Sequence, residues 1–387
     1  MIKVEHLAKT YTGTTTPAVD DVSFTVEQGG FYTLLGPSGC GKTTTLRCIA
    51  GLERPDGGTI QLGTTVVVSD RAFVPTNRRD IGMVFQSYAV WPHMTVFENA
   101  AFPLRVAKHK LRKSELEEKV MGALALVGLT GFEQRMATML SGGQQQRLSV
   151  ARALVREPDV LLLDEPLSNL DAKLRERMRS ELLLIQRRVG ITTLFVTHDQ
   201  IEALSMSERI AVMNGGKIVQ EGTPREVYHD PANAFVASFI GSTNLITGRV
   251  GSHDQATGLT TVETGAGPIQ AEVKGIAPGE SVMVSIRPEE VVVHRGERHE
   301  ADPLARPNVL TGTIEIGLFV GISVEYHVRV GSELVQARVP SRFDLAPGEA
   351  TRIELPPDAI HVFRLGGSQA RLDGSSAAGE PVAGAPA

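Results

Sequence analysis

Short runs of consecutive apolar residues, separated by stretches with helical spacing, mark the first part of the chain. FYTLLG (31–36), IGMVF (81–85), VLLLD (160–164), TTLFVT (192–197) and RIAVM (209–213) are compact and uninterrupted. Unbroken hydrophobicity suits parallel strands whose sheet is covered on both faces. Lys42 to Ala50 reads as the helix following the first strand. Between the second and third runs, Val120, Met121, Leu124 and Val127 share one helical face before Gly128, and Ser114 with Glu117 fits a capping box. The pattern predicts an α/β core over residues 1–240 with a helical insert over about 87–157. Beyond residue 240 the period changes to two, as in TIEIG (313–317) and VEYHVRV (324–330), broken by Gly, Pro and Asp. A second, all-β domain over 241–365, a small barrel, is expected. Residues 366–387 are rich in Gly, Ala, Ser and Pro, and a disordered tail is expected there.

Composition narrows the function. The net charge of -5 argues against a protein whose main task is neutralising nucleic-acid phosphates, so no nucleic-acid partner is expected. The two cysteines, Cys40 and Cys48, have the spacing of neither a disulfide framework nor a metal site. The start, MIKVEHLAKTY, lacks the apolar core of a signal peptide, and no apolar run is long enough to span a bilayer. A cytoplasmic location is expected, with any membrane work done by docking on another subunit.

The candidate chemistry begins at Gly36-Pro37-Ser38-Gly39-Cys40-Gly41-Lys42-Thr43, which follows a predicted strand and opens a predicted helix. Glycines in this context let backbone N–H groups turn onto phosphates. Lys42 brings a point charge to the β/γ-phosphates, and the Thr43 hydroxyl can ligate Mg²⁺. Thr44 is next in line to face the phosphates. Asp164 closes a buried strand, where doubly wound sheets place their ligands, and can hold Mg²⁺ through its water shell. Glu165, one step further, is placed to deprotonate an attacking water. A third element, Leu140-Ser141-Gly142-Gly143-Gln144, precedes an amphipathic helix and makes an anion site from free N–H groups and the helix dipole.

With LSGGQ at 140–144 beside the phosphate loop, the chain over about 1–240 resembles the ATP-binding-cassette ATPases. The resemblance implies that Tyr11 stacks on adenine, that Gln86 touches Mg²⁺ and the attacking water, and that His198 contacts the γ-phosphate. Asp171, in the segment Ser168-Asn169-Leu170-Asp171, lies where the family crosses between subunits. It further implies ATP and Mg²⁺ as cofactors, and a second copy of the chain whose Ser141, Gly142, Gly143 and Gln144 close each nucleotide site.

GKIVQEGTPREVY (216–228), FVASFIGSTNLI (235–246) and SIRPEEV (285–291) look like the importer branch that carries a terminal OB-like β-domain, known as TOBE. That likeness implies an ATPase, peripheral on the inner face of the membrane, that energises uptake through permease subunits and acts indirectly with an extracytoplasmic binding protein. Trp91, in SYAVWPHMTVFENAAFPL (87–104), favours the ferric-iron and polyamine branches over those for sugars or aminophosphonates. This apolar stretch either covers the helical insert or forms the permease's docking groove. An alternative from another class is a soluble ATPase of the same family that remodels a non-transport assembly, with the β-domain as adaptor.

Overall fold

The computed structural model describes residues 1–107, 111–296 and 307–365. The chain divides into two compact units between Ala232 and Asn233. The tail expected to be disordered, 366–387, lies outside the described residues.

At the centre of the first unit is a six-stranded sheet in the order Lys217–Gly222, Arg209–Asn214, Phe31–Leu35, Thr192–Thr197, Val160–Asp164, Ile81–Val84. All but the first of these run parallel. Leu161 and Leu163 pack with helices on one face, while Val160 and Leu162 pack on the other, so the unbroken apolar run feeds two cores at once. Each such leucine contributes roughly 1.5–3 kcal/mol by leaving water. The second core lies beneath a five-stranded antiparallel sheet built from Ile2–Lys9, Val19–Val26, Gly57–Leu62, Thr65–Ser69 and Ala72–Phe73.

The helices are α1 (Lys42–Ala50), α2 (Val96–Arg105), α3 (Lys113–Leu126), α4 (Gly142–Leu154), α5 (Ala172–Val189), α6 (Gln200–Met206), α7 (Pro224–His229) and α8 (Ala234–Phe239). The first core joins α2, α3 and α4, which form the expected insert between the strands ending at Val84 and starting at Val160. Val120, Leu124 and Val127 are buried in it, as the spacing predicts, whereas Met121 is half-buried. The start of α3 differs from expectation. Ser114 lies inside the helix, and it is Glu115 that reaches back, accepting from the Arg112 backbone N–H at 3.0 Å and from Arg112 Nε at 3.0 Å. An i,i+3 pair of opposite charge two residues upstream outcompetes the hydroxyl cap.

The second unit is all-β apart from α8 and a single 3₁₀ turn among the described residues. Two five-stranded antiparallel sheets share a core that includes Val250, Ile269, Val284, Tyr326, Val328 and Ile353. Asn244, on the first sheet, exchanges hydrogen bonds with the Gln336 backbone on the second, at 2.8 and 2.7 Å. The helix α8, read from sequence as the end of the first domain, belongs here. Arg287 is buried and donates to the carbonyls of Ala237 (2.9 Å) and Ser242 (3.1 Å), tying the helix to this unit.

Candidate functional site

Three neighbouring parallel strands deliver the candidate residues to one sheet end. Leu35 is paired with Thr197, and Asp164 with Val196, so the loops that follow all three strands emerge side by side. This is the crevice at the carboxyl ends of strands where open α/β sheets bind ligands.

After Leu35 the chain makes a tight glycine loop into α1. Gly39 and Gly41 have φ of 79° and 105°, and a Cβ at Gly41 would come within 2.2 Å of the Ala18 carbonyl oxygen. Gly36 is equally constrained, since a Cβ there would lie 2.3 Å from the Met213 carbonyl oxygen. Lys42 is buried and folds back over the loop, donating to the carbonyls of Gly36 (2.7 Å) and Pro37 (2.9 Å). Cys40 is also buried, with Sγ 3.7 Å from Lys42 Nζ, and burial pushes its thiol pKa up. Its side chain therefore serves packing, leaving its backbone for the loop. Thr44 Oγ1 lies 3.4 Å from the Tyr11 hydroxyl, and the Tyr11 ring, over which Lys9 sits at 5.7 Å, remains exposed.

Thr43 Oγ1 donates to Asp164 Oδ1 at 3.2 Å across 121 residues of sequence. Burial raises the Asp164 pKa, while the Thr43 hydrogen bond and the Arg47 charge pull it back down. A buried carboxylate beside one hydroxyl is a donor set for a hard divalent cation that keeps waters and takes its remaining ligands from phosphates. Among the described residues no three His, Cys, Asp or Glu side chains converge into an all-protein cage, so Mg²⁺ would rest on Asp164 and Thr43 with help from the ligand.

Glu165 has φ of 44°, unusual for a residue with a Cβ, and its N–H donates to the Val196 carbonyl at 3.0 Å. The turn aims its carboxylate at two partners: Gln86 Nε2 donates to Oε2 at 3.3 Å, and His198 Nδ1 lies 3.1 Å from the same oxygen. Residues 86, 165 and 198 thus converge on one atom. The other candidates stay apart. Ser141 and Gln144 bond each other at the start of α4, and among the described residues no hydrogen bond or ion pair joins 141–144 to the loop 36–44. Gly142 is exposed and Gly143 buried beside Leu174. Asp171 caps α5, accepting from Leu174 N–H at 3.0 Å.

Two residues hold the Gln86 segment: Asn169, from the segment expected to cross between subunits, and Arg152, for which no role is expected from sequence. Asn169 Nδ2 donates to the Gln86 carbonyl at 2.8 Å. Arg152, buried on α4, donates to the carbonyls of Tyr88 and Ala89, both at positive φ, and stacks on Trp91 with its guanidinium 4.7 Å from the ring centroid. The available signal was its position four residues after Leu148 on the buried stripe of α4, where an arginine needs polar partners. Trp91 also packs on Phe102 at 4.2 Å. It therefore covers the insert and at the same time walls a cleft of about 250 Å³ lined by Phe85, Ala89, Pro103 and Arg152. A bigger cleft of about 970 Å³, between α3 and residues 154–159, holds none of the candidate residues, so size does not mark the site.

A phosphate loop, a strand-end Asp-Glu pair and a histidine and glutamine meeting on the glutamate, in a sheet of this order, define an ATP-hydrolysing cassette. The family pattern described as ABC transporter matches residues 19–168, and that of the TOBE domain matches 284–363. Over 379 residues, 95% of this chain and 94% of the relative, the sequence is 45% identical to the spermidine/putrescine import ATP-binding protein PotA of Rubrobacter xylanophilus. The chain belongs to the ATP-binding, ATP-hydrolysing subunits of ABC transporters and carries a TOBE domain.

Among solved structures it is similar to the ATP-binding cassette MJ0796 in a dimeric post-hydrolysis state bound to ADP and Pi. That match has 31% identity and a TM-score of 0.51, over 58% of this chain and 99% of that one. It is also similar to cbiO1 of Clostridium perfringens, part of the ABC transporter complex cbiONQ, with 29% identity and a TM-score of 0.53 over 58% and 89%. Among the described residues no helix is long and apolar enough to cross a membrane.

Proposed function

We propose that this chain energises solute import through a membrane permease, with a polyamine of the spermidine/putrescine class as the solute. Similarity to a polyamine-import ATPase along nearly the whole of both chains carries the solute assignment. The convergence of Gln86 and His198 on Glu165, beside the Thr43–Asp164 pair, supports the roles in hydrolysis.

Lys42 leaves its two loop carbonyls for the β/γ-phosphates, the backbone of 36–44 surrounds them, and Tyr11 stacks on the adenine. Thr43, Asp164 and Gln86 would hold Mg²⁺, which when bound would supply charge to neutralise the phosphates. Glu165 takes the proton of the water that attacks the γ-phosphorus, and ADP and phosphate leave. His198 and Gln86 orient that water and carboxylate, so the chain contributes positioning and electrostatics rather than covalent chemistry. The 141–144 turn and Asp171 serve the site of a second copy, since within one chain they lie apart from the phosphate loop. The cleft beside Trp91 receives a short permease segment on the inner face of the membrane, linking Gln86 to motion there. An extracytoplasmic binding protein would deliver the solute.

The test is deletion of the gene in its own host, followed by energy-dependent uptake of radiolabelled putrescine, spermidine and ferric iron. Selective loss of polyamine uptake, restored by wild type and not by Glu165→Gln, is the expected result. Selective loss of iron uptake moves the solute to the ferric-iron branch. Unchanged uptake of all three removes the polyamine reading.

A further inference from the structure

Glu165 and His198 lie on different loops, and their 3.1 Å contact depends on how those loops are held relative to each other. The first loop continues from Glu165 through a turn in which Ser168 Oγ donates to the Glu165 carbonyl at 3.0 Å and Asn169 holds the Gln86 carbonyl. The second runs from Thr197 into α6. Thr197 Oγ1 donates to Glu202 Oε2 at 2.6 Å and accepts from Asp199 N–H at 2.9 Å, and Asp199 Oδ1 caps α6 by accepting from Glu202 N–H at 3.0 Å. His198 thus sits inside a small, well-braced loop that, among the described residues, is joined to the first loop at His198 through Glu165.

One side chain spans the two. Arg175, in the first turn of α5, places Nη2 3.1 Å from the Leu170 carbonyl and 3.4 Å from the Ser168 carbonyl. Its Nη1 donates to Asp199 Oδ2 at 3.3 Å. Its Nε is buried without a hydrogen-bond partner and faces the buried Glu202 carboxylate at 4.0 Å, an ion pair too long for a hydrogen bond. The planar fork of an arginine can reach a pair of carbonyls on one side and a carboxylate on the other, which an ammonium on a single flexible stem cannot do together.

We propose that Arg175 is a positioning residue for ATP hydrolysis, clamping the 168–170 turn to the 197–202 loop so that Glu165 and His198 meet. Its effect belongs to the chemical step, because the phosphate-binding loop and Tyr11 make no contact with it among the described residues. The clamp also joins the segment that ends at Asp171 to the histidine, so displacing that segment displaces His198.

The test measures steady-state ATP hydrolysis by the full-length chain for Arg175→Ala, Arg175→Lys, Asp199→Asn and the Arg175→Ala/Asp199→Asn double variant. Melting temperature and affinity for a fluorescent ATP analogue are read in parallel. Misplacing reacting groups by about an ångström costs on the order of 100-fold, so Arg175→Ala is expected to lower kcat by roughly 10- to 100-fold. KM and analogue affinity should stay within about twofold. Arg175→Lys keeps the charge but should recover little of the rate. Asp199→Asn retains a good helix cap while losing the carboxylate, and should lower kcat alone. The double variant should be no slower than Arg175→Ala, as partners in one link are not additive.

Wild-type kcat in Arg175→Ala, full rescue by lysine, or losses that multiply in the double variant would overturn the proposal. So would a fall in kcat that merely tracks lost affinity and melting temperature. If Arg175→Ala does not fold, Asp199→Asn decides: an unchanged kcat refutes the clamp, and a lowered kcat at unchanged KM supports it.

Discussion

Lys42 is buried, with its ammonium held by two carbonyls of its own loop, so a nucleotide bound as proposed would exchange those bonds for phosphate contacts. A charge-assisted hydrogen bond contributes about 1.5–3 kcal/mol, so Lys42→Ala is expected to weaken ATP binding by roughly 10- to 100-fold in a calorimetric titration. Asp164 points the other way in its effect on stability. Its carboxyl pKa is raised by burial, so the folded chain holds that proton more tightly than the unfolded one. The carboxyl therefore costs stability increasingly as pH rises from the ordinary aspartate range through the raised value, and the cost persists above it. Asp164→Asn should melt higher than wild type at pH 8, with the gain shrinking towards pH 4, while hydrolysis falls by at least about tenfold. Thermal melts at both pH values without nucleotide check it. Cys40 offers a third case. Burial suppresses its thiolate, so alkylation of the native chain at pH 7 should be slower than that of the unfolded chain. Equal rates in the two states, read by mass spectrometry, would contradict the buried placement.

At the scale of elements, α4 does two jobs. Its first turn carries the Ser141–Gln144 capping box, and its last turn carries Arg152, whose charge burial lowers its pKa to about 10. That arginine holds two left-handed residues, Tyr88 and Ala89, just after the strand that ends at Val84. Arg152→Lys keeps the charge but loses the two-pronged grip and the stacking, so it is not conservative here. Because Trp91 is the sole tryptophan, its emission reports directly on this bend. A red shift in Arg152→Lys, with the far-ultraviolet circular dichroism unchanged, is the expected outcome. The elements themselves were largely legible: the five apolar runs became the five parallel strands because covering both faces of a sheet demands unbroken hydrophobicity. The cap of α3 was misread, because spacing alone cannot say which of two overlapping i,i+3 pairs wins. Here the Arg112–Glu115 ion pair did.

For the whole molecule, the phosphate loop and the 141–144 turn lie apart within one chain, and the chain resembles cassettes solved as dimers. Glu165→Gln removes the proposed base while keeping a side chain that the Gln86 and His198 contacts can still meet. It is expected to bind ATP, hydrolyse it at least about a hundredfold more slowly, and accumulate as a dimer with MgATP. Sizing with light scattering checks this, and a monomer under saturating MgATP would contradict the shared site. The second unit has its own core, with Tyr326 buried and bonded through its hydroxyl to Phe343 and Leu345 backbone groups.

The sequence by itself determined the five apolar runs that became the parallel strands, the glycine loop, and the acid pair closing a buried run, since periodicity and local backbone demands are written in adjacent residues. It also carried the family signature at 140–144. What only the tertiary structure decided are the contacts that cross long stretches of chain: Thr43 with Asp164, Gln86 and His198 on Glu165, and Arg152 beneath Tyr88 and Ala89. The same holds for Arg175 between Leu170 and Asp199, and for α8, assigned to the second unit by Arg287. Such contacts depend on strand order and loop curvature, which bring together residues as far apart in the chain as Thr43 and Asp164 (121 positions), Gln86 and Glu165 (79) and Tyr88 and Arg152 (64), and no local pattern encodes that proximity.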